Sequence, residues 1–512
     1  MHFFLLNVIM GYERSSGPIK KQLYEINNKL LKRLNKNQIH RIQEGFMAKF
    51  RELLAPKDMT QGEPWKRIME FAIPMLLGNV AQQLYNTVDS IVVGRYIGDN
   101  ALAAVGSASP ILNLLLVFFV GIATGSGIMV AQYFGAKHRE GISRAIGVSI
   151  TLTAIMSVAI MIIGPLITKP MLILLNTPES ILNWSSEYLI IFFVGIAGFS
   201  YFNILSGILR GLGDSVSALV FLLVSTALNV VLDIWFVASF KMGVGGVALA
   251  TVIAQGVSAL LCFWKLMQMK EFFDINLEIL KLSKQYTYKL IKLGLPSGVT
   301  QAIFSLAMIV VQSLTNSFGE MVIACNVIVM RVDGFAMMPN FTFGNAMTTF
   351  VGQNIGAGKM DRVEKGVRDG TKIAVAVSAT VTIIILIFGK YLMYLFTDTV
   401  ELVELSMRMM SILAVGYVAV AVTQSLSGVM RGAGDTMTPM WLSLVTTIIL
   451  RLPLAYGLAY LTRSEAYPAG RPESIFVSLV IAWVAGAIIT VVFYKKGKWK
   501  DKRIVEDIAI EA

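Results

Sequence analysis

Long apolar stretches alternate with short polar or charged segments from about residue 66 to residue 493. An α-helix needs roughly 20 mainly apolar residues to cross the hydrocarbon core of a bilayer, and each stretch meets that length. The pattern predicts about twelve membrane-spanning helices, at 66–94, 101–134, 142–167, 182–209, 215–240, 244–267, 290–318, 321–355, 367–396, 405–430, 437–461 and 474–493. The predicted fold class is an all-α integral membrane protein.

The composition agrees with a membrane protein. Hydrophobic residues make up 55% of the chain and charged residues 15%, and the mean hydropathy is +0.67, whereas about 25% charged residues is usual in soluble proteins. The net charge of +12 suggests a nucleic-acid partner at first sight. The basic residues are instead concentrated in alternate loops, which is typical of membrane topology. We therefore expect no nucleic-acid partner.

The same basic residues predict the orientation. Short cytoplasmic loops are enriched in Lys and Arg, so an amino end in the cytoplasm places inside the residues Lys137, Arg139, Arg144, Lys270, Lys281, Lys284, Lys289, Lys292, Lys359, Arg362, Lys365, Arg368, Lys495, Lys496 and Lys498. The opposite loops carry few basic residues. We expect a multi-pass protein of the plasma (cell) membrane with both termini in the cytoplasm.

The chain contains an internal repeat. The sequence RGLGD at 210–214 returns as RGAGD at 431–435, VAQYFGA at 130–136 returns as VGQNIGA at 351–357, and Gly98 returns as Gly319, all with an offset of 221 residues. Three distant matches with one offset indicate duplication into two homologous six-helix lobes. Because six is even, both lobes enter the membrane in the same direction, which predicts a parallel repeat with a cleft between the lobes.

This repeat gives the predicted domain organisation. A polar extension at 1–62 has no counterpart in the repeat, and it is either amphipathic or precedes a later start near Met47. The amino-terminal lobe (N lobe) occupies 63–270, a cytoplasmic linker 271–292, the carboxyl-terminal lobe (C lobe) 293–496 and a cytoplasmic tail 497–512.

The two RGxGD sequences predict tight turns between spans. They lack the preceding strand and the phosphate-gripping Lys of a nucleotide loop. The glycines allow a tight turn, and Asp214 and Asp435 stand where a carboxylate caps the following helix. We interpret them as structural.

Ionisable residues inside spans are the default place to look for function, because each costs about 2.5 to 3.5 kcal/mol on insertion scales. Asp89 lies six residues before Arg95, and Asp233 lies eight residues before Lys241, so both are roughly 9 to 12 Å deep. Asn229 precedes Asp233 by one helical turn, and Thr251 reaches a similar depth. These four residues predict a cation-coupling site for H⁺ or Na⁺. If the ion is Na⁺, the carboxylates of Asp89 and Asp233 would be its metal ligands.

The second lobe is apolar at the positions equivalent to these acids, but it has its own polar residues. Arg331 and Asp333 lie in the eighth span and Arg451 in the eleventh. They are candidates for a substrate counter-ion, a gate or a structural salt bridge. Apolar residues that suit a ligand pocket equally suit lipid or core contacts; these are Met337, Met338, Tyr201 and Phe202.

The chain resembles the multidrug and toxic compound extrusion (MATE) family in the sequence DSIVVGR at 89–95, in the doubled RGxGD and in VGQNIGAG at 351–358. The resemblance covers about 57–500. It implies a V-shaped fold of twelve helices and a secondary active exporter, in which inward H⁺ or Na⁺ drives efflux of bulky, often cationic organic compounds by alternating access. In members with an acidic first lobe, the cation site resembles Asp89, Asn229, Asp233 and Thr251.

The sequence leaves two other functions open. A lipid-linked precursor flippase of the same superfamily favours a large cationic cavity. A polytopic membrane transferase needs clustered metal-binding carboxylates or a Ser/His pair near a span boundary. His2, His40 and His138 all lie outside the predicted spans. We expect a transporter and not an enzyme, with no cofactor besides the coupling ion, xenobiotic substrates, membrane lipid around it and a monomeric state.

Overall fold

The computed structural model describes residues 55–175, 177–274 and 276–505. From Pro56 onward the chain forms one compact unit. Most of the extension predicted at 1–62 and the end of the tail predicted at 497–512 lie outside the described residues.

The described unit is built from helices, and no β-strand occurs in its described residues. Two of the helical spans, α4 and α11, consist of two halves each. The helices are α1 Pro64–Tyr96, α2 Asp99–Gly135, α3 Arg139–Leu174, α4a Glu179–Val194, α4b Ile196–Gly211, α5 Ser215–Ile234, α6 Gly243–Gln268, α7 Lys284–Asn316, α8 Glu320–Gly356, α9 Met360–Tyr394, α10 Val400–Gly432, α11a Met437–Leu444, α11b Arg451–Leu461 and α12 Glu473–Lys495.

Length and hydropathy identify most of these helices as membrane spans. Within the described ranges, 10 helices are individually long and apolar enough to cross a bilayer, and the pair α4a and α4b raises the number to 11. Helix α1 has 33 residues but is less apolar than these helices, since it carries Asn79, Gln82, Gln83, Asn86 and Asp89. The predicted all-α membrane fold is confirmed, and α1 is its most polar long helix.

Three spans are less regular than the apolar pattern predicted. Helix α4 bends by 53° between its halves at Gly195. Helix α5 continues as a π-helix at Trp235–Ser239, and a second π-helix, Val445–Leu450, joins α11a to α11b. Pro453 explains the second π-helix, because proline has no N–H to offer the carbonyl group of Ile449.

The hydrophobic clusters show that the two lobes meet at one end of the bundle. We call this the basic end, because the loops at 136–138 and 357–359 and the linker lie there. One cluster joins the N lobe to Tyr286, Leu290 and Leu293 of α7, and another joins the C lobe to Phe71 and Ala72 of α1. Two further clusters each contain residues of one lobe alone. The lobes therefore form a V that closes at the basic end.

Glycines allow a close crossing between the lobes, that of α2 with α7. A Cβ atom on Gly121 would lie 2.7 Å from the carbonyl oxygen of Gly294, and one on Gly125 would lie 2.7 Å from the backbone nitrogen of Gly294. Gly298 extends the contact. The spacing is that of small residues at close helix crossings in membranes. Side chains of any size at these positions would push the lobes apart.

Candidate functional site

A cavity of about 730 Å³ opens between the lobes. Its wall combines apolar side chains such as Met308, Phe341 and Trp483 with amides such as Asn79 and Gln301. Beside the cavity, the amide of Asn79 on α1 donates a hydrogen bond to the hydroxyl of Thr342 on α8 of the C lobe at 2.9 Å. A large, mainly apolar chamber with scattered polar groups is the usual form of a site for organic molecules.

Two buried glutamines close the basic end of this cavity. Gln132 of α2 donates from Nε2 to the carbonyl oxygen of Gly432 in the C lobe at 2.8 Å, and Gln353 of α8 donates to that of Gly211 in the N lobe at 3.0 Å. The two residues occupy equivalent positions of the repeat. Each glutamine therefore connects its own lobe to the other.

The chain ends reinforce the same closure. The amide oxygen of Gln353 accepts the backbone N–H of Met59 at 2.9 Å, and that of Gln132 accepts the backbone N–H of Ile504 at 2.8 Å. Trp499 is 1% exposed and packs among C-lobe residues. The described parts of the extension and of the tail are therefore anchored to the basic end by Met59, Trp499 and Ile504.

The structure brings the four residues of the predicted coupling site together inside the N lobe. The carboxyl groups of Asp89 on α1 and Asp233 on α5 are neighbours that interact electrostatically. Asn229 donates from Nδ2 to the hydroxyl of Thr251 on α6 at 3.4 Å. Tyr85, one turn before Asp89, donates to the same hydroxyl at 3.2 Å. Neither acid lines the cavity between the lobes.

This cluster, which we call the acid site, lacks donors for most of its oxygens. Within the described chain, Asp89 Oδ1, Asn229 Oδ1 and both carboxylate oxygens of Asp233 are buried without a hydrogen-bond partner. Two adjacent carboxylates in a low dielectric cannot both remain charged and unpaired. A shared proton or a Na⁺ ion, which prefers oxygen ligands, would satisfy these atoms. The acid site can therefore take up one small cation.

The C-lobe charges have a different setting. Asp333 on α8 lines the cavity, and its Oδ1 accepts a hydrogen bond from the hydroxyl of Tyr417 at 2.8 Å. Arg451 also lines the cavity, and its Nε atom is buried without a hydrogen-bond partner among the described residues. The two side chains influence each other electrostatically but do not form an ion pair within 4.0 Å.

Of the other residues predicted for substrate binding or gating, some line the cavity and the rest do not. Met337 and Met338 line the cavity together with Asp333. Arg331 is exposed and lies outside the lining. Tyr201 donates to the carbonyl oxygen of Ile150 at 3.2 Å. The ring of Phe202 belongs to the hydrophobic core of the N lobe.

Sequence reasoning missed four residues that the structure places at the cavity or its closure. Arg210 and Arg431 line the cavity, and Gln132 and Gln353 close it. All four belong to the repeated segments, so the repeat marked them. Periodicity alone did not show that their side chains point between the lobes.

Comparisons with known proteins agree with this architecture. The sequence profile of the MatE family matches residues 74–235 and 296–457, one match in each lobe. The "Probable multidrug resistance protein YoeA" of Bacillus subtilis (strain 168) is 29% identical over 467 residues, which cover 90% of this chain and 99% of the relative. The "Probable multidrug resistance protein NorM" of Thermotoga maritima is 24% identical and covers 86% of this chain and 94% of its own length.

Solved structures give the same result. A structure described as MATE in the bent conformation superimposes with a TM-score of 0.80 at 25% sequence identity, covering 86% of this chain and 98% of that one. The outward-facing conformation of a multidrug resistance MATE family transporter superimposes with a TM-score of 0.79 at 25% identity, covering 86% and 96%. The profile, the relatives and the fold converge, and the chain therefore belongs to the multidrug and toxic compound extrusion family, whose members are transporters and not enzymes.

Proposed function

We propose that this chain is a secondary active exporter of bulky organic compounds in the cell membrane, driven by inward movement of H⁺ or Na⁺ through the acid site. The observation that carries the proposal is the set of unpartnered carboxylate oxygens of Asp89 and Asp233, buried in the N lobe apart from the cavity. An ion and an organic substrate thus have separate places. The multidrug resistance named for its relatives supports the substrate class.

The ion acts through differential affinity. A ligand shifts a conformational equilibrium only as far as it binds one state better than the other. We propose that cation binding at the acid site favours the state that releases substrate. Return to the opposite state requires the bonds made by Gln132 and Gln353 at the basic end to break, which opens the cavity on the predicted cytoplasmic side.

The driving force is sufficient for this work. One charge moving down 100 mV supplies about 2.3 kcal/mol. That free energy concentrates a neutral substrate roughly fiftyfold. The ion gradient adds to it. No other energy source is needed.

The test is dye transport in inverted vesicles from cells that produce the full-length chain. Ethidium, rhodamine 6G and fluorescein are followed in parallel under an imposed pH gradient or Na⁺ gradient. We expect uptake of at least one dye with one of the two gradients, and loss of the gradient response in Asp89→Asn with unchanged membrane insertion. Transport that is indifferent to both gradients, or an undiminished response in Asp89→Asn, would refute the proposal.

A further inference from the structure

The arginines of the two RGxGD sequences have a role that the turns do not explain. The turns use the other residues: Asp214 accepts the backbone N–H of Ser217 at 2.8 Å, and Asp435 accepts that of Thr438 at 3.1 Å, as predicted for capping. Gly213 has a positive φ of 89°. The side chains of Arg210 and Arg431 contribute nothing to these contacts, and both residues line the cavity instead.

Both arginines are free to bind a ligand. Neither side chain forms a hydrogen bond or an ion pair within the described part of the chain. Each lies in the last turn of its helix, α4b or α10, where the helix dipole favours a cation. The dipole makes the charge tolerable there but leaves the five N–H donors of each guanidinium unused. An unused guanidinium in a membrane protein marks a functional site by default.

The two arginines belong to a symmetric polar floor. Repeat-equivalent residues line the cavity on both sides: Asn203 with Gln424 and Thr124 with Asn345, each one or two turns from the arginine or on the adjacent helix. Asn203 and Gln424 lie seven residues before Arg210 and Arg431, on the same helix face. The floor therefore presents polar side chains from both lobes to the cavity. Asn203 and Thr124 already donate to carbonyl groups of their own helices at 2.9 Å, so the two guanidinium groups are its main unused donors.

The charge of the whole lining is positive. Arg210, Arg431 and Arg451 face the cavity, and Asp333 is the one acidic residue in its described lining. Asp333 is already the acceptor of the hydroxyl group of Tyr417. The acids that could attract a cation, Asp89 and Asp233, lie inside the N lobe and not in this wall. The lining does not favour the cationic substrates that the family resemblance implied.

We propose that the cavity binds an anionic group, a carboxylate, sulfonate or phosphate, carried by a bulky organic molecule, with Arg210 and Arg431 as its ligands. Guanidinium groups hold such planar or tetrahedral anions through paired, charge-assisted hydrogen bonds. The apolar body contacts the Met and Phe side chains of the wall. This inference rests on the proposed export function and specifies its substrate class.

The test compares two xanthene dyes of similar size and opposite charge. Full-length protein in phosphatidylcholine nanodiscs is titrated with fluorescein, a dianion at neutral pH, and with rhodamine 6G, a monocation, and binding is read as fluorescence anisotropy without any ion gradient. We expect fluorescein to bind about tenfold or more tightly than rhodamine 6G. Equal or tighter binding of rhodamine 6G overturns the proposal without recourse to any variant.

Substitutions of the two arginines test whether Arg210 and Arg431 bind the anionic group. We expect Arg210→Gln and Arg431→Gln each to weaken fluorescein binding about tenfold or more and to leave rhodamine 6G binding unchanged or tighter. Arg210→Lys and Arg431→Lys keep the charge and serve where the Gln variants fail to fold; they should lose less affinity. Arg368→Gln, an exposed arginine at the basic end paired with Asp369, is the matched control. Fluorescein affinity that is unchanged in all four cavity variants overturns the assignment.

Competition identifies the source of the anion. Displacement of fluorescein by short-chain dihexanoyl phosphatidic acid, and not by taurocholate, indicates a lipid phosphate and a flippase-like activity. Displacement by taurocholate indicates a soluble organic anion. Displacement by neither compound, with displacement by rhodamine 6G, overturns the proposal. These binding measurements use no ion gradient, so a negative result would not contradict ion-driven export. Conversely, a lost gradient response in vesicles would not contradict anion binding in the cavity.

Discussion

The N lobe and the C lobe share one frame and differ in where they hold charge. Under the repeat, Asn229 and Asp233 of the N lobe correspond to Leu450 and Leu454, so the C lobe has no acid site. The C lobe instead has Asp333 and Arg451 in the cavity lining. Their repeat equivalents in the N lobe are the apolar residues Leu112 and Val230. Both lobes thus keep the RGxGD turns, the closing glutamines and the polar floor with its two arginines. The other ionisable residues inside the spans differ between the lobes, which supports separate binding sites for the ion and the substrate.

The largest expected effect comes from removing one charge from each lobe in turn. Asp233→Asn should lower gradient-driven transport about 100-fold, because the acid site then keeps one carboxylate and loses its shared cation. Asp333→Asn should change apparent substrate affinity while the response to the gradient persists. Transport in vesicles at several dye concentrations separates the two. If both variants lose the gradient response alike, the division of labour between the lobes is wrong.

Removing either of the two closing glutamines should, in contrast, weaken the closure at the basic end by the same amount. Gln132→Ala removes one bond to Gly432 and one to Ile504, and Gln353→Ala removes the equivalent pair. Each loss should disfavour the closed state by about 2 kcal/mol. A cysteine at Asn203, which lines the cavity, reports opening through labelling by an impermeant maleimide from the basic end. Native Cys262 and Cys325 are buried and give a low background.

We expect faster labelling in each variant and similar rates in the two, with less than additive change in the double variant. Labelling at the wild-type rate in both would mean that the glutamines do not hold the lobes together. A large difference between them would break the two-fold equivalence of the closure.

A smaller effect, on stability, is expected at the tight crossing of α2 with α7, and a second glycine on α2 provides the control. A Cβ on Gly125 would lie 2.7 Å from backbone of α7, whereas one on Gly106 of the same helix meets nothing within 4 Å. Gly125→Ala should cost about 1 to 2 kcal/mol. Gly106→Ala should be neutral or stabilise slightly through helix propensity. Thermal midpoints in detergent measure both, and equal midpoints would show that the crossing is not close-packed.

The smallest effect concerns the beginning of the linker, which Arg139 of the N lobe holds in place. Arg139 donates to Asp274 at 2.7 Å and to the linker carbonyl groups of Glu271 and Phe273. Its repeat equivalent is Met360. The hydrogen bonds from Arg139 hold the pKa of Asp274 below its ordinary value. The pair therefore stabilises above that ordinary value, and its contribution is lost as the pH falls through the lowered pKa.

Arg139→Gln should lower the thermal midpoint slightly at pH 7, and the difference from wild type should shrink as the pH falls below about 4. Thermal melts at a series of pH values measure it. A difference that stays constant down to pH 3 would show that the ion pair is not its origin.

The sequence predicted the fold more completely than the site. Long apolar stretches and the 221-residue repeat were sufficient for the spans and the two lobes, because each is a property of the chain read in one dimension. The four residues of the acid site were found because ionisable groups are rare in spans and helical rise converts residue spacing to depth. Their role in coupling stays a prediction. The breaks in α4 and α11 were missed, since a bent apolar span has the same hydropathy as a straight one.

The sequence by itself determined the membrane class and the duplication, since hydropathy and repetition need no knowledge of neighbours. Only the tertiary structure decided that Arg210 and Arg431 face the cavity while Tyr201 and Phe202 face the N-lobe core, and that Gln132 and Gln353 join opposite lobes. The physical reason is that a membrane helix is apolar on most of its surface. Which side meets lipid, a partner helix or a cavity is therefore set by packing between segments far apart in the chain.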